Sequence, residues 1–357
     1  MNAETLKSRI LAQDMENVHL HTGSVWSKLE GSHIFLTGGT GFFGKWLLHS
    51  IRHVIESEDR NIKVTVLTRN PEIFSNDQPE LYAFENFSYL TGDIQTFKSP
   101  NLDFTHLIHS AADSSDHVLR TDPIRMFESI VGGAQRVLEF SRQCRVKRLL
   151  WVSSGAVYGM PADSECEYSE DWEGQAVDCL EVNSAYTVAK RSGEMLCTLY
   201  QSQWGIDVSI ARCFTFIGPY LPLDANYAIG NFINDVLKDT KITIKGSGEE
   251  VRSYLYASDL AAWLWSLLVF GKKGSVINVG SDNAVSIYQV AEEVVKVLGG
   301  KGIIVQNKPS AKKVIPRYIP SIERARSDYG LRCTVDLSEA IRRTAITNGW
   351  KSIVKLG

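Results

Sequence analysis

Apolar residues follow two rhythms along this chain. Short runs rich in β-branched and aromatic residues, His33 to Thr37, Ile62 to Thr68, Phe87 to Leu90, His106 to His109, Arg148 to Ser153 and Asp207 to Cys213, read as strands. Between them, apolar positions recur at helical spacing: Phe43, Trp46, Leu47 and Ile51, then a stretch around Ile124 to Arg142, then another from about Ala185 to Gln203. Strands alternating with helices predict an α/β fold built on a parallel sheet covered on both faces.

Beyond Gly218 the rhythm becomes irregular, with Pro219, Pro222 and the turn "KGSGEE", while a later "SVINVGS" is positioned to return a strand to the sheet. A smaller, discontinuous second lobe follows. The expected division is a helical appendage at 1–32, a dinucleotide-binding domain at 33–217 and about 257–285, and a substrate domain at 218–256 and 286–357.

The corner between the first strand and its helix, "TGGTGFFG", concentrates glycine. Gly38, Gly41 and Gly44 fit G-x-x-G-x-x-G, where missing side chains let the backbone turn tightly, admit a pyrophosphate to a helix N-terminus and let helix pack on strand. A dinucleotide is the expected guest. At the end of the second strand, where an acidic residue would hold ribose hydroxyls, the chain reads "VLTRNP"; Thr68 and Arg69 favour the 2′-phosphate of NADP over NAD. Asp93 in "TGDI" stands ready for the adenine amino group or for a turn.

Composition narrows the partners. The chain has 357 residues, 44% hydrophobic and 22% charged, with a net charge of −3. That offers no basic field for nucleic acid, and we expect none. The longest apolar run, Leu260 to Phe270, is too short to span a bilayer, and Met1 to Asp14 lacks a signal-peptide core, so a cytoplasmic protein without a membrane partner is expected. Six cysteines are scattered, with neither C-x-x-C pairs nor zinc-spaced histidines, which predicts reduced thiols and no metal site.

The chemistry sits in "NSAYTVAKRSGE". Tyr186 and Lys190 are four apart, so a helix presents both on one face, and a nearby ammonium lowers a phenol from its ordinary pKa of about 10. One strand earlier "WVSSGAVYG" ends in hydroxyls, and Ser154 is suited to bind a substrate alcohol together with the phenol.

These residues resemble the extended short-chain dehydrogenases/reductases, and within them the nucleotide-sugar (NAD-dependent) epimerase/dehydratase group. The resemblance runs from about 33 to 345 through "TGGTGFFG", "GDI", "HSAA", "SSGAVYG", "YTVAK", "ARCFTFIGP", "AIGNFI", "GSGEEVRSYLYASDL" and "INVGS". It implies a Rossmann domain carrying NAD(P) and a C-terminal domain gripping a nucleoside diphosphate sugar, the whole a homodimer through the helices near Ile130 and Met195. By the same resemblance Ser154, Tyr186 and Lys190 form the catalytic set. Gly38, Gly41, Phe42, Phe43, Gly44, Arg69, Asp93, Ile94, Ala111, Ala112, Tyr186, Lys190, Cys213 and Phe214 lie along the dinucleotide. Ser154, Thr215, Asn231, Phe232, Arg252 and Arg317 lie along the sugar nucleotide.

The chain also departs from that pattern. Gly155 and Ala156 stand where the sugar 4,6-dehydratases carry Asp-Glu, which removes the acid and base for expelling water. Ser129 and Thr215 each replace an asparagine, and Gly230 replaces a proline. An epimerase is therefore the leading expectation, an NADPH-dependent keto-sugar reductase the next, and a 4,6-dehydratase or a dinucleotide sensor the least. The long acidic connection Met160 to Glu181 reads equally as a lid or as a solvated excursion.

Overall fold

The computed structural model describes residues 3–111, 116–159, 167–225, 227–307 and 315–351. The six expected strands form as β1 (His33–Thr37), β2 (Lys63–Thr68), β3 (Phe87–Thr91), β4 (His106–His109), β5 (Arg148–Ser154) and β6 (Val208–Cys213). Val276–Val279, from "SVINVGS", pairs in parallel with β6 and completes a seven-stranded sheet in the order β3-β2-β1-β4-β5-β6-(276–279). Every pairing in that sheet is parallel. Its central strands are buried almost throughout because helices cover both faces, which is why they read as apolar runs rather than alternations. Strand order reverses between β1 and β4, and in such sheets ligands bind in the crevice beyond the strand ends at that point.

Three long helices flank the sheet, Phe42–Glu58, Pro123–Gln143 and Ala185–Trp204. The second opens with Asp122 accepting from the Arg125 N–H and with Pro123 in its first turn; the third ends where Gly205 turns left-handed at φ 73°. Ile130 is buried between these two helices, against Ala189 and Met126, so its side chain serves the chain's own packing. Met195 is 58% exposed.

Beyond the sheet, short strands build small pairings. Val251–Arg252 lies between Val285–Ser286, antiparallel, and Arg317–Tyr318, parallel. Ile242–Ile244 pairs with Ile303–Val305. The apolar run Leu260 to Phe270 belongs to a helix, Ala257–Phe270, that is buried round its circumference as far as Leu268 and so needs cover on every side. The helix Ala3–Thr22 supplies part of that cover. Asn17 donates to Ser258 (3.0 Å) and Thr334 (2.9 Å), Tyr256 donates to the buried Asp14 carboxylate at 2.7 Å, and Arg343 of the helix Leu337–Thr347 pairs with the same carboxylate. Among the described residues, no helix is long and apolar enough to cross a membrane.

Candidate active site

The turn after β1 is shaped by backbone meeting backbone. Gly38 adopts φ 73°, and a Cβ there would sit 2.7 Å from the Ala111 amide nitrogen after β4. A Cβ on Gly44 would come within 2.2 Å of the Gly39 Cα, so the helix Phe42–Glu58 lies directly on the turn. A Cβ on Gly41 would meet the Gly38 carbonyl oxygen at 3.4 Å, an ordinary contact, and the unpaired N–H groups of the helix begin just beyond. This cradle suits a pyrophosphate, because donors converge there and no side chain intervenes.

A cavity of about 970 Å³ opens from the cradle across the ends of β1, β2, β4, β5 and β6. Gly38, Gly41, Phe42, Phe43, Arg69, Asp93, Ile94, Ala111, Tyr186, Lys190, Cys213 and Phe214 all line it, as do Ser154, Thr215 and Ser129. Gly44 faces the turn and is a packing glycine rather than a lining one. Ala112 lies outside the described residues, as do Cys166 and the rest of Met160–Cys166. Asp93 is also the turn-former, accepting from the Gln95 N–H at 3.0 Å. Sequence reasoning missed Thr40, Lys45, Asn70, Asp77, Ser110 and Tyr227. Lys45 follows Gly44 on the first turn of its helix, a signal the sequence held, and its ammonium pairs with Asp77 at 2.5 Å.

The three candidate catalytic side chains share the wall of this cavity. Ser154 ends β5, and its hydroxyl accepts from the Ala156 N–H at 3.2 Å. Tyr186 and Lys190 project from one face of the helix Ala185–Trp204, with the Lys190 Nζ 5.9 Å from the Tyr186 ring centre. Lys190 is 4% exposed and donates to the Val152 carbonyl at 3.1 Å. Burial pushes its pKa down to about 8, against the opposing pull of Cys213 and Glu194. Beneath it, His109 lies against the Trp151 ring with a 2.7 Å hydrogen bond to Thr37, and burial, then Lys190, push it down to about 3, so it is neutral. Burial pushes the neighbouring Cys213 thiol up to about 12, so it is no thiolate at neutral pH. The described cysteines Cys144, Cys179, Cys197, Cys213 and Cys333 are all free, and no cluster among the described residues could hold a metal ion.

Asn231, Phe232, Arg252 and Arg317, expected along the sugar nucleotide, do not line this cavity. Phe232 is 2% exposed in the hydrophobic core, on the buried stripe Ile229, Phe232 and Ile233 of its helix, and Asn231 beside it does not line the cavity. Arg252 pairs in register with Tyr318, and Arg317 with Val251. Because side chains alternate along a strand, the two arginines leave this small sheet on opposite faces. Arg252 stands over the Tyr318 ring, 5.9 Å from its centre.

The acidic connection is anchored in its described part. Tyr168 bridges to Pro320, exchanging 2.8 Å hydrogen bonds with Ile319 and Ser321, and Trp172 stacks on Tyr158.

Residues 34–280 match the model of the NAD dependent epimerase/dehydratase family. The chain belongs to this family. It is 27% identical to UDP-glucuronic acid decarboxylase 1 of Xenopus tropicalis, across 89% of this chain and 72% of that one. It is 28% identical to a putative UDP-glucose 4-epimerase of Methanocaldococcus jannaschii, across 87% and 96%. Its fold is that of the Bacillus cereus UDP-glucuronic acid 4-epimerase solved with NAD, at a TM-score of 0.73, 22% identity, and 88% and 95% coverage. The protein is thus an enzyme of the epimerase/dehydratase family, and a nicotinamide dinucleotide is its cofactor class.

Proposed function

We propose that this enzyme is an NDP-sugar epimerase, acting on a nucleoside diphosphate sugar with a bound nicotinamide dinucleotide, NADP in preference to NAD. The surroundings of Ser154 carry the reading. Among the described residues the carboxylates lining the cavity are Asp77 and Asp93, both beyond β2 and β3 and away from Ser154. A dehydratase must protonate and expel a hydroxyl beside that serine, which calls for an acid and a base there. Gly155 and Ala156 supply neither.

The dinucleotide, when bound, supplies the acceptor and donor of hydride. Everything else falls to the chain. Tyr186 takes the proton of a sugar hydroxyl and later returns it; the Lys190 ammonium makes the phenolate less costly; Ser154 holds the same sugar oxygen by a hydrogen bond. Gly38 and Gly41 leave the helix N-terminus open to the pyrophosphate, Arg69 meets the 2′-phosphate, and Thr215 faces the sugar nucleotide. A homodimer through the helices Pro123–Gln143 and Ala185–Trp204 belongs to the same reading, with Met195 on its surface.

A second reading, a keto-sugar reductase that uses NADPH once per turnover, is favoured by Arg69 in the cavity wall. One experiment separates them: the purified protein with UDP-glucose, UDP-glucuronate, dTDP-glucose, GDP-mannose and their 4-keto forms, followed by NMR and by absorbance of the reduced dinucleotide. Inverted stereochemistry without net dinucleotide consumption supports the epimerase. Stoichiometric oxidation of NADPH supports the reductase. Loss of carbon dioxide from UDP-glucuronate, the chemistry named for several relatives, overturns both.

A further inference from the structure

The helix that carries Tyr186 and Lys190 places a third ionisable side chain on the same face. Glu194 follows Lys190 by one helical turn, as Lys190 follows Tyr186, so the three form a stripe. The Glu194 side chain is 12% exposed, and its carboxylate is bound from both neighbouring strands. On β5 the hydroxyl of Ser153, next to Ser154, donates to it at 2.6 Å; on β6 Arg212, next to Cys213, donates through Nε at 3.1 Å and Nη2 at 2.7 Å. Arg212 is fixed in turn. Its guanidinium lies over the Tyr158 ring, 4.6 Å from the centre, and the Tyr158 hydroxyl donates to Asn278 at 2.8 Å.

Packing alone does not call for this arrangement. Taking two charges out of water can cost more than their attraction returns, and apolar residues of similar volume often hold a core as well. What the pair supplies and apolar residues cannot is a charge beside Lys190. Around that ammonium, His109 on β4 is neutral, and Arg191 on the same helix is spent on the carbonyls of Val157 (2.6 Å) and Gln175 (2.9 Å). Burial pushes Lys190 toward the neutral amine, and Cys213 and Glu194 oppose that push. Since the Cys213 thiol keeps its proton at neutral pH, the opposing charge there is Glu194.

We propose that Glu194 is a positioning residue that acts through Lys190: its carboxylate keeps the ammonium charged beside the Tyr186 phenol at neutral pH, and Arg212 sets how strongly it does so. This rests on the proton transfer assigned to Tyr186 and Lys190 above. The stripe then works as a graded series, in which a partly neutralised carboxylate tunes an ammonium and the ammonium tunes a phenol.

The test is the pH profile of kcat/KM in the full-length enzyme, with the sugar that the panel shows to turn over, beside melting temperature. Glu194→Gln removes a negative charge and leaves Arg212 positive, so both limbs of the profile should move to lower pH by about one unit. Arg212→Met removes the positive charge and should move both limbs to higher pH by a similar amount. Combining the two should bring the profile back near the parent's, and Arg212→Lys, which keeps the charge without the fork, should leave it in place. Limbs that stay put, or that move the same way in both single variants, overturn the role, because a pair that serves packing alone lowers the melting temperature of both variants without opposite shifts. Where a single variant fails to fold, Ser153→Ala keeps both charges and takes one donor from the carboxylate, so the limbs should move to higher pH; an unmoved profile there overturns the role as well. If the parent converts no sugar in the panel, the proposed function falls and this role with it.

Discussion

Lys190 holds its ammonium 5.9 Å from the centre of the Tyr186 ring while donating to the Val152 carbonyl, and it does so almost sealed from water. Its pKa is about 8 in the fold, against 10.5 for an ordinary lysine. A lowered lysine binds its proton less tightly folded than unfolded, so it costs stability below pH 8, and that cost fades as pH rises from about 8 to 10.5. Lys190→Met should therefore abolish most turnover yet stabilise the ligand-free protein at pH 7 by roughly 2 kcal/mol. Urea denaturation at pH 7 and pH 10 measures this; a variant less stable than the parent at pH 7 contradicts it.

Tyr186→Phe removes one oxygen at the cavity wall and nothing from the core. Turnover should fall about a hundredfold to ten-thousandfold, with fold and dinucleotide affinity kept. Steady-state kinetics beside calorimetric titration of the dinucleotide gives the answer. Near-normal turnover would leave the glycine turn marking a dinucleotide site of unknown chemistry.

Arg69 stands exposed in the cavity wall just past β2. Arg69→Asp should weaken NADP by about 1 to 3 kcal/mol, the worth of a hydrogen bond to a charged group, and leave NAD nearly untouched. Equal losses for both dinucleotides would assign Arg69 to the fold alone.

Arg343 and Asp14 join the first and last described helices, with their side chains 17% and 0% exposed. Burial raises Asp14 to about 6, with Tyr256 and Arg343 opposing. Removing the arginine strands a buried carboxylate, so Arg343→Met should cost about 3 kcal/mol at pH 8. A raised carboxylate binds its proton more tightly folded than unfolded, so the deficit should narrow as pH falls through 6. Stability curves at pH 5 and pH 8 test this, and a deficit independent of pH would show that the pair acts through packing.

The sheet was legible because strands buried on both faces must be apolar along their whole length, and the loops between them punctuate clearly. The cofactor cradle was legible for a related reason. Gly38 and Gly44 occupy positions where a Cβ would strike backbone, and that constraint can be written only as glycine. The sugar side was harder. Phe232 sits on a helical stripe with Ile229 and Ile233 that already spelled core, but the motif around it drew attention to a ligand. Arg252 and Arg317 were expected along the sugar nucleotide from the resemblance alone; only the register of two short strands shows that they leave the sheet on opposite faces.

The contact between Asp14 and Arg343 also bears on the order in which the molecule is made. The helix Ala3–Thr22 is made before the sheet, but one of its buried partners follows 329 positions later. Until that segment emerges, the carboxylate of Asp14 has no counter-charge and the apolar helix Ala257–Phe270 has no finished roof. The early strands can pair during synthesis, whereas this closure must wait for Arg343, leaving a growing chain with an exposed apolar seam open to a chaperone or a second nascent copy.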